Sequence, residues 1–346
     1  MRLLDLCPAS VDECFSSWIY RCMIKFPWVR FSLEGVSVKA ESDRCGELVY
    51  EDPDFDISSS YVQDVTSRLN LAQDDYFRFF DKKPGKLLSW QSRRFYCRDC
   101  IMDDIKNNIL PYWRRSWCSA VCVFCPLHEK KLSSIRFNCD PIGRGWRAFS
   151  EFSRYPYHQY QGTRNYNLWE SESLQKALYD LAIQVFEWYG SSEEARVDSA
   201  GADVASTAYF DLVFELLTQA PSLHNSGGLS WSFTFAFKLR LGRYRKDYSW
   251  LLENGVNEVD VNQRVCGVIL AGKVLGILSD EEVGRLDCMV DDLFPYFGLS
   301  NLELGFRCAN YSSIGDYDYL LSRIGRLPYS SQARFDGFVA GLTPEM

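Results

Sequence analysis

The constraint that most limits what this chain can fold into is a pair of short spacings, Cys97-x2-Cys100 and Cys125-x2-His128. Two residues between partners let a tight turn aim both side chains of a pair at one point, and two such pairs complete a tetrahedron of zinc donors. With all four positions filled by protein, no open position remains for water or substrate. The pattern therefore predicts one structural zinc and points away from a metalloenzyme. Only three of the 346 residues are His, and one of them falls at the right spacing. The alternative is a set of small buried thiols, because free Cys packs like a small hydrophobe. Cys118 and Cys122 lie near enough to be alternative ligands. They are disfavoured because Trp117 and the run Ala120-Val121-Cys122-Val123-Phe124 read as a buried strand leading into the second pair.

The 13 cysteines are odd in number and irregularly spaced, a poor disulfide framework. No signal peptide and no apolar run of about 20 residues is visible. These features predict a cytoplasmic protein without a membrane span. Net charge is −8, which argues against an independent nucleic-acid binder. Charge is unevenly spread, however: Lys82 to Arg147 holds 14 Lys/Arg against 5 Asp/Glu. Such a basic stretch suits contact with phosphate or an acidic partner, or is an ordinary solvated face. The candidate contacts are Arg93, Arg94, Arg114, Arg115, Lys130 and Lys131. A second basic and aromatic stretch adds Arg240, Arg243, Arg245 and Lys246.

The expected fold is mainly α, in three parts: a helical domain over 1–88, a zinc knuckle or ribbon over 89–150 with little helix, and a helical domain over 151–346. Ser10-x-x-Glu13 reads as a capping box opening a helix with its apolar stripe at Phe15, Trp18, Ile19 and Cys22, and Pro27 stops it. Residues 44–57 read as an acidic loop. Tyr61, Val62, Val65 and Leu69 mark a second helix, and Tyr76, Phe77 and Phe80 a short third. This pair resembles a helix-turn-helix, although Asp74 and Asp75 would repel phosphate. From Ser173 the pattern predicts helices over Leu174–Phe186 with a stop at Gly190, a linker over 190–206, and helices through Tyr209–Leu217 and Val265–Leu275. Ser279-x-x-Glu282 starts a last helix, giving a second helix-turn-helix candidate whose acidic face suits protein better than DNA.

At the ligand pairs the sequence resembles the TniQ/TnsD family of transposition target-selection proteins. Phe95-Tyr96-Cys97-Arg98-Asp99-Cys100, Pro111-Tyr112-Trp113-Arg114-Arg115-Ser116-Trp117 and Cys125-Pro126-Leu127-His128 are similar to that family's CPxC, YWR-x-SW and CPxH stretches, in that order. Asp12-Glu13-Cys14-Phe15-Ser16-Ser17-Trp18-Ile19-Tyr20-Arg21 resembles its opening helix. The resemblance covers about residues 10 to 130. Arg98 replaces the first Pro, and only Cys139 follows where the family often has further CxxC pairs, so a single zinc is expected.

The resemblance implies a non-catalytic adaptor of the short TniQ type. Such an adaptor links a target-recognition element, in some systems an RNA-guided Cascade complex, to an AAA+ regulator and a transposase, and it can act as a homodimer. DNA or RNA contact within that assembly is expected. The alternative is a stand-alone sequence-specific DNA-binding protein using the basic zinc segment and a helix-turn-helix. An enzyme is disfavoured. A zinc deaminase needs a His-x-Glu ahead of its Cys pair, and no His precedes His128. Adjacent carboxylates such as Asp103/Asp104 and Asp291/Asp292 diverge by about 100° on a helix and share a metal poorly.

Overall fold

The computed structural model describes residues 6–42, 48–80, 85–135, 141–154, 171–198, 203–232, 244–290, 296–327 and 333–343. The fold is mainly helical, as its apolar periodicities predict. It divides into two compact units: residues 1–122 with 132–158, and residues 123–131 with 159–346. The expected middle domain over 89–150 is thus no separate body. Most of it folds with the N-terminal helices, and nine residues of it belong to the second unit.

In the first unit, α1 (Phe15–Lys25) and α2 (Pro27–Ser32) follow each other directly. Pro27 ends α1 as expected and then occupies the first turn of α2, where its missing N–H is not needed. The stripe Phe15, Trp18, Ile19 and Cys22 is buried against Tyr61, Val62, Val65 and Leu69 of α3 (Ser60–Arg68) and its end. The capping box is only half realised. The Ser10 amide donates to Glu13 Oε2 at 3.1 Å, but the helix starts later, at Phe15. Glu13 is fully buried and instead pairs with Arg21, eight residues further on, at 3.1 Å.

Three expectations fail here for local reasons. Residues 48–50 are not loop: β1 (Ala40–Ser42) pairs antiparallel with β2 (Leu48–Tyr50). The helix-turn-helix candidate does turn, with Asn70 left-handed at φ 49°, but α4 (Gln73–Phe77) spans five residues and is too short to run along a groove. The basic segment is also not helix-poor. It holds α5 (Arg98–Lys106), and after a short 3-10 turn at Pro141–Gly143 comes α6 (Arg144–Arg154). Gly145 sits on the 111–112 backbone, where a Cβ would lie 2.6 Å from the Pro111 carbonyl oxygen, so only glycine lets α6 approach. β3 (Phe95–Tyr96) pairs with a distant strand, Ser133–Ser134.

The second unit contains the hairpin of β4 (Phe124–Cys125) and β5 (Lys130–Lys131), so the strand Ser133–Ser134 is β6. The apolar run Ala120–Phe124 is buried as expected, but only its last residue is strand. The helices are α7 (Glu172–Asp198), α8 (Asp203–Thr218), α9 (Tyr248–Glu258), α10 (Val261–Val274), α11 (Asp280–Val290), α12 (Asn301–Cys308), α13 (Ile314–Ile324) and α14 (Ala333–Gly341). Gly190 does not stop α7, which runs on through much of the expected linker. The buried faces of α7, α8 and α10 form the core, and α10 is buried along almost its whole length. Its start is a true capping box between Asp260 and Gln263, and Ser279 with Glu282 caps α11 as predicted. Gly276, left-handed at φ 72°, makes the turn between α10 and α11.

Burial pushes the Glu13 carboxyl up to about 7, against the opposing pull of Arg21 and of the Ser10 and Ser17 hydrogen bonds. A carboxyl whose folded pKa lies above its ordinary value of about 4.5 contributes most at low pH, and that contribution is lost as pH rises through 7. Between pH 5 and 8 the protein should therefore lose on the order of 3 kcal/mol at this residue. Denaturant melts of wild type and Glu13→Gln across that range test it. The variant should show the shallower pH dependence.

Candidate metal centre

Cys97 is the N-cap of α5 and Cys100 is its third residue. The first turn of a helix carries unpaired amide N–H groups and the positive end of the dipole, which favours thiolate over thiol. Cys125 ends β4 and is paired with Lys130 across the hairpin. Pro126, Leu127, His128 and Glu129 form the loop, and the Glu129 amide donates back to the Cys125 carbonyl at 2.9 Å. Glu129 is left-handed at φ 52°, which closes the loop and returns His128 toward Cys125. The Cys125 Sγ lies 3.5 Å from His128 Nδ1.

The four predicted ligands come together. One donor atom from each of Cys97, Cys100, Cys125 and His128 lies within 4.8 Å of every other, with the three cysteines buried and the histidine half-buried. In a tetrahedral site with metal–sulfur bonds of about 2.3 Å and a metal–nitrogen bond of about 2.0 Å, donors stand about 3.5–3.8 Å apart. The cluster is therefore of the size that a single ion draws together, and three thiolates with one imidazole suit zinc-like, borderline-soft metals. Of the two alternative cysteines, Cys118 is committed elsewhere, with its Sγ 3.6 Å from Cys14 Sγ and 3.7 Å from the Arg114 carbonyl. Cys122 is buried and outside the cluster. Cys139 lies outside the described residues.

The candidate contact residues separate into interior and surface. Arg93 is 1% exposed and is a correction to the surface reading. Its Nη1 donates to Asp52 at 2.8 Å, its Nη2 pairs with the same carboxylate, its Nε donates to the Leu88 carbonyl at 2.9 Å, and Asp54 lies 3.7 Å away. Arg114 is also interior. It makes a two-pronged pair with Asp104, at 2.8 and 3.2 Å, and its guanidinium lies 4.2 Å from the Tyr112 ring centre and 4.9 Å from Trp117. Arg115 is buried and donates to the Arg78 carbonyl at 3.2 Å. Lys131 is half-buried, gives its ammonium to Asn262 at 2.6 Å, and has its pKa lowered by that burial.

Arg94, Lys130 and Arg245 are exposed, and Lys246 is half-buried over the Trp250 ring. Arg240 and Arg243 lie outside the described residues. The structure gathers no phosphate-binding cluster from the candidates it describes. Sequence reasoning missed interior guanidiniums at Arg21, Arg144 and Arg264, and Arg144 lies among the aromatic residues of this segment. Arg144 is 3% exposed, pairs with the Trp90 carbonyl and lies 4.2 Å over that ring, and burial with Arg93 nearby pushes its pKa down to about 10. Nothing in local spacing marks it as interior.

The two stretches that resemble the TniQ/TnsD family pack against each other. Glu13 and Arg114 form an antiparallel bridge, the Cys14 amide donates to the Trp113 carbonyl at 3.0 Å, and the Trp113 amide donates to Ser17 Oγ at 2.8 Å. The Ser116 hydroxyl donates to Asp12 at 2.7 Å, and Arg21 lies over the Tyr112 ring. Comparison with protein-family models, curated proteins and solved structures finds no match to this chain.

Two measurements follow. Cobalt(II) added to metal-stripped protein should bind at one equivalent, with thiolate charge-transfer and tetrahedral visible bands. Cys125→Ser should lose most of both, because binding at such a site is worth on the order of 10 kcal/mol of folding free energy. Arg93→Ala should cost about 3–5 kcal/mol in denaturant melts by stranding the buried Asp54 and uncoupling Asp52. An exposed phosphate contact would cost almost nothing.

Proposed function

We propose that this chain is a transposition target-selection adaptor of the TniQ/TnsD kind, folded around one structural zinc held by Cys97, Cys100, Cys125 and His128. The observation that carries the proposal is the mutual packing of the two stretches that bear the resemblance. About a hundred residues apart, they share a backbone bridge, two backbone–side-chain exchanges and a stacked arginine. Two chance likenesses would have no reason to be each other's partners. The closed donor set supports a stabilising role for the metal, because a catalytic zinc keeps a position for water or substrate.

As an adaptor the protein catalyses nothing. It works in the cytoplasm, bridging a target-bound complex, which in some systems is an RNA-guided Cascade, to the AAA+ regulator and transposase, alone or as a homodimer. DNA or RNA contact comes through the assembly. The stand-alone DNA reader is the weaker reading, since Arg93, Arg114 and Arg115 are spent inside the protein and α4 is short. No described helix is long and apolar enough to cross a membrane.

Co-expression with the transposition ATPase and the target-recognition complex encoded beside it is the direct test. The tagged protein should retain both through size exclusion, and Cys97→Ser should lose them together with its metal. Retention of neither by the zinc-loaded wild type would sink the adaptor reading. Tight, steeply salt-dependent binding to bare duplex DNA would move the function to the alternative.

A further inference from the structure

Two cysteines that lie 104 residues apart in sequence have their sulfurs in contact inside the first unit. Cys14 Sγ is 3.6 Å from Cys118 Sγ, and both residues are fully buried. Neither belongs to the Cys97, Cys100, Cys125 and His128 cluster. Backbone contacts hold the pair in register from both sides. The Cys14 amide donates to the Trp113 carbonyl at 3.0 Å, the Arg115 amide donates to the Asp12 carbonyl at 2.8 Å, and Glu13 bridges Arg114. On the far sides, the Cys14 carbonyl takes the Trp18 amide at 3.0 Å and the Cys118 carbonyl takes the Leu88 amide at 2.9 Å. The sulfurs meet because two fixed segments meet.

Closing a bond between them asks little of the core. Bonded sulfurs stand about 2.05 Å apart, so each moves by under about 1 Å. Cys118 Sγ also contacts the Arg114 carbonyl at 3.7 Å, and without that weak contact the carbonyl keeps the Trp117 amide at 3.2 Å. No charge is created in the interior. The thiols react slowly as they stand. Burial holds the Cys14 thiol well above its ordinary range, with Cys118 and the Asp54 carboxylate adding to this and Arg93 opposing it. Little of the nucleophilic thiolate is therefore present at neutral pH. What forms does so beside two guanidiniums, since Arg93 and Arg144 both couple electrostatically to Cys118.

We propose that Cys14 and Cys118 are an oxidative modification site, which hydrogen peroxide closes into an internal disulfide that staples the start of α1 to the 112–118 stretch. One sulfur attacks a peroxide oxygen, which gives a sulfenic acid and one water. The second thiol attacks that sulfur and displaces its hydroxyl as another water. Both sulfurs are oxidised, both peroxide oxygens are reduced, and the two thiol protons leave in the two waters. The step needs neither the metal nor a partner, so it stands apart from the adaptor reading. The competing account is a permanently reduced pair that only fills space.

Peptide mapping of the full-length protein decides between them. The protein is treated with hydrogen peroxide, its remaining thiols are alkylated in denaturant without reductant, and the digest is read by tandem mass spectrometry. A peptide linking Cys14 to Cys118 should accumulate, more slowly than the exposed Cys288 is oxidised, and should vanish on reduction. The oxidised protein should unfold at higher denaturant than the reduced one, because the bond closes a long loop in the unfolded chain. Reductant should return the midpoint to its starting value. In Cys118→Ala, peroxide should leave the midpoint where it was. Should that variant fail to fold, the wild-type map still decides. Recovery of Cys14 and Cys118 as alkylated thiols after Cys288 is fully oxidised overturns the proposal. So does linkage of Cys14 to Cys7, Cys22 or Cys122 as often as to Cys118, which would report scrambling in opened chains.

Discussion

The first unit depends on charges taken out of water. Arg93, Arg114 and Arg144 are each at most 8% exposed, and Glu13 and Asp54 are fully buried. Moving an ion into a protein interior costs several kcal/mol, and a pair regains this only with good geometry and with its remaining donors and acceptors satisfied. That condition is met at specific places. Arg93 donates to both oxygens of Asp52 and to the Leu88 carbonyl, has Asp54 3.7 Å away, and sits 4.9 and 5.8 Å from the Phe55 and Trp90 ring centres. Arg114 takes both oxygens of Asp104 and stacks between Tyr112 and Trp117. Such pairs add little net stability, but they penalise every other register. Helix α1, the 52–55 turn and the 112–117 stretch can meet in only one way without stranding a charge.

This explains why a basic stretch reads ambiguously. Counting Lys and Arg between 82 and 147 treats each as a surface charge, and the count then suggests a field that attracts phosphate. Exposure reverses the inference for Arg93, Arg114, Arg115 and Arg144, whose charge is neutralised or shielded inside the unit. Among the described residues, Arg94 and Lys130 remain outward. Counterion release scales with the number of phosphates actually neutralised, so buried arginines contribute nothing to it. The aromatic richness of the segment follows from the same cause. A guanidinium stripped of water is best housed between ring faces, and Trp90, Tyr112 and Trp117 provide them.

What is legible in the sequence is what depends on near neighbours. Cys97-x2-Cys100 and Cys125-x2-His128 are turn-sized, so each pair announces itself, and the structure brings the two together. Stripes such as Phe15/Trp18/Ile19/Cys22 are equally local. Ser279-x-x-Glu282 caps a helix as its pattern implies, and the overlooked Ser300-x-x-Glu303 does the same for α12. The failures involve distance. Ser10-x-x-Glu13 has the capping pattern, but Glu13 is drawn into a pair with Arg21 and a bridge with Arg114. The helix over 98–106 is hidden because its buried face is only Cys100, Ile101 and the charged Asp104. Gly190 fails as a stop because glycine ends a helix only where the chain must turn, and α7 continues through it to Asp198.

The metal cluster and the charge network make different demands on the same chain. Four donors converge from local turns, the start of α5 and the 125–130 hairpin, and a bound ion would add a cohesion that the unfolded chain cannot organise. The buried pairs fix long-range register and need no ligand. Stripping metal therefore acts first on residues 97–100 and 125–128, while neutralising Arg93 or Arg114 acts first on the seating of α1. The two can be separated because Cys118 is not a ligand: its sulfur faces Cys14 and the Arg114 carbonyl inside the first unit's core. A cysteine seven residues before Cys125 is thereby part of the packing, and its substitution should disturb α1 and leave the donor cluster intact.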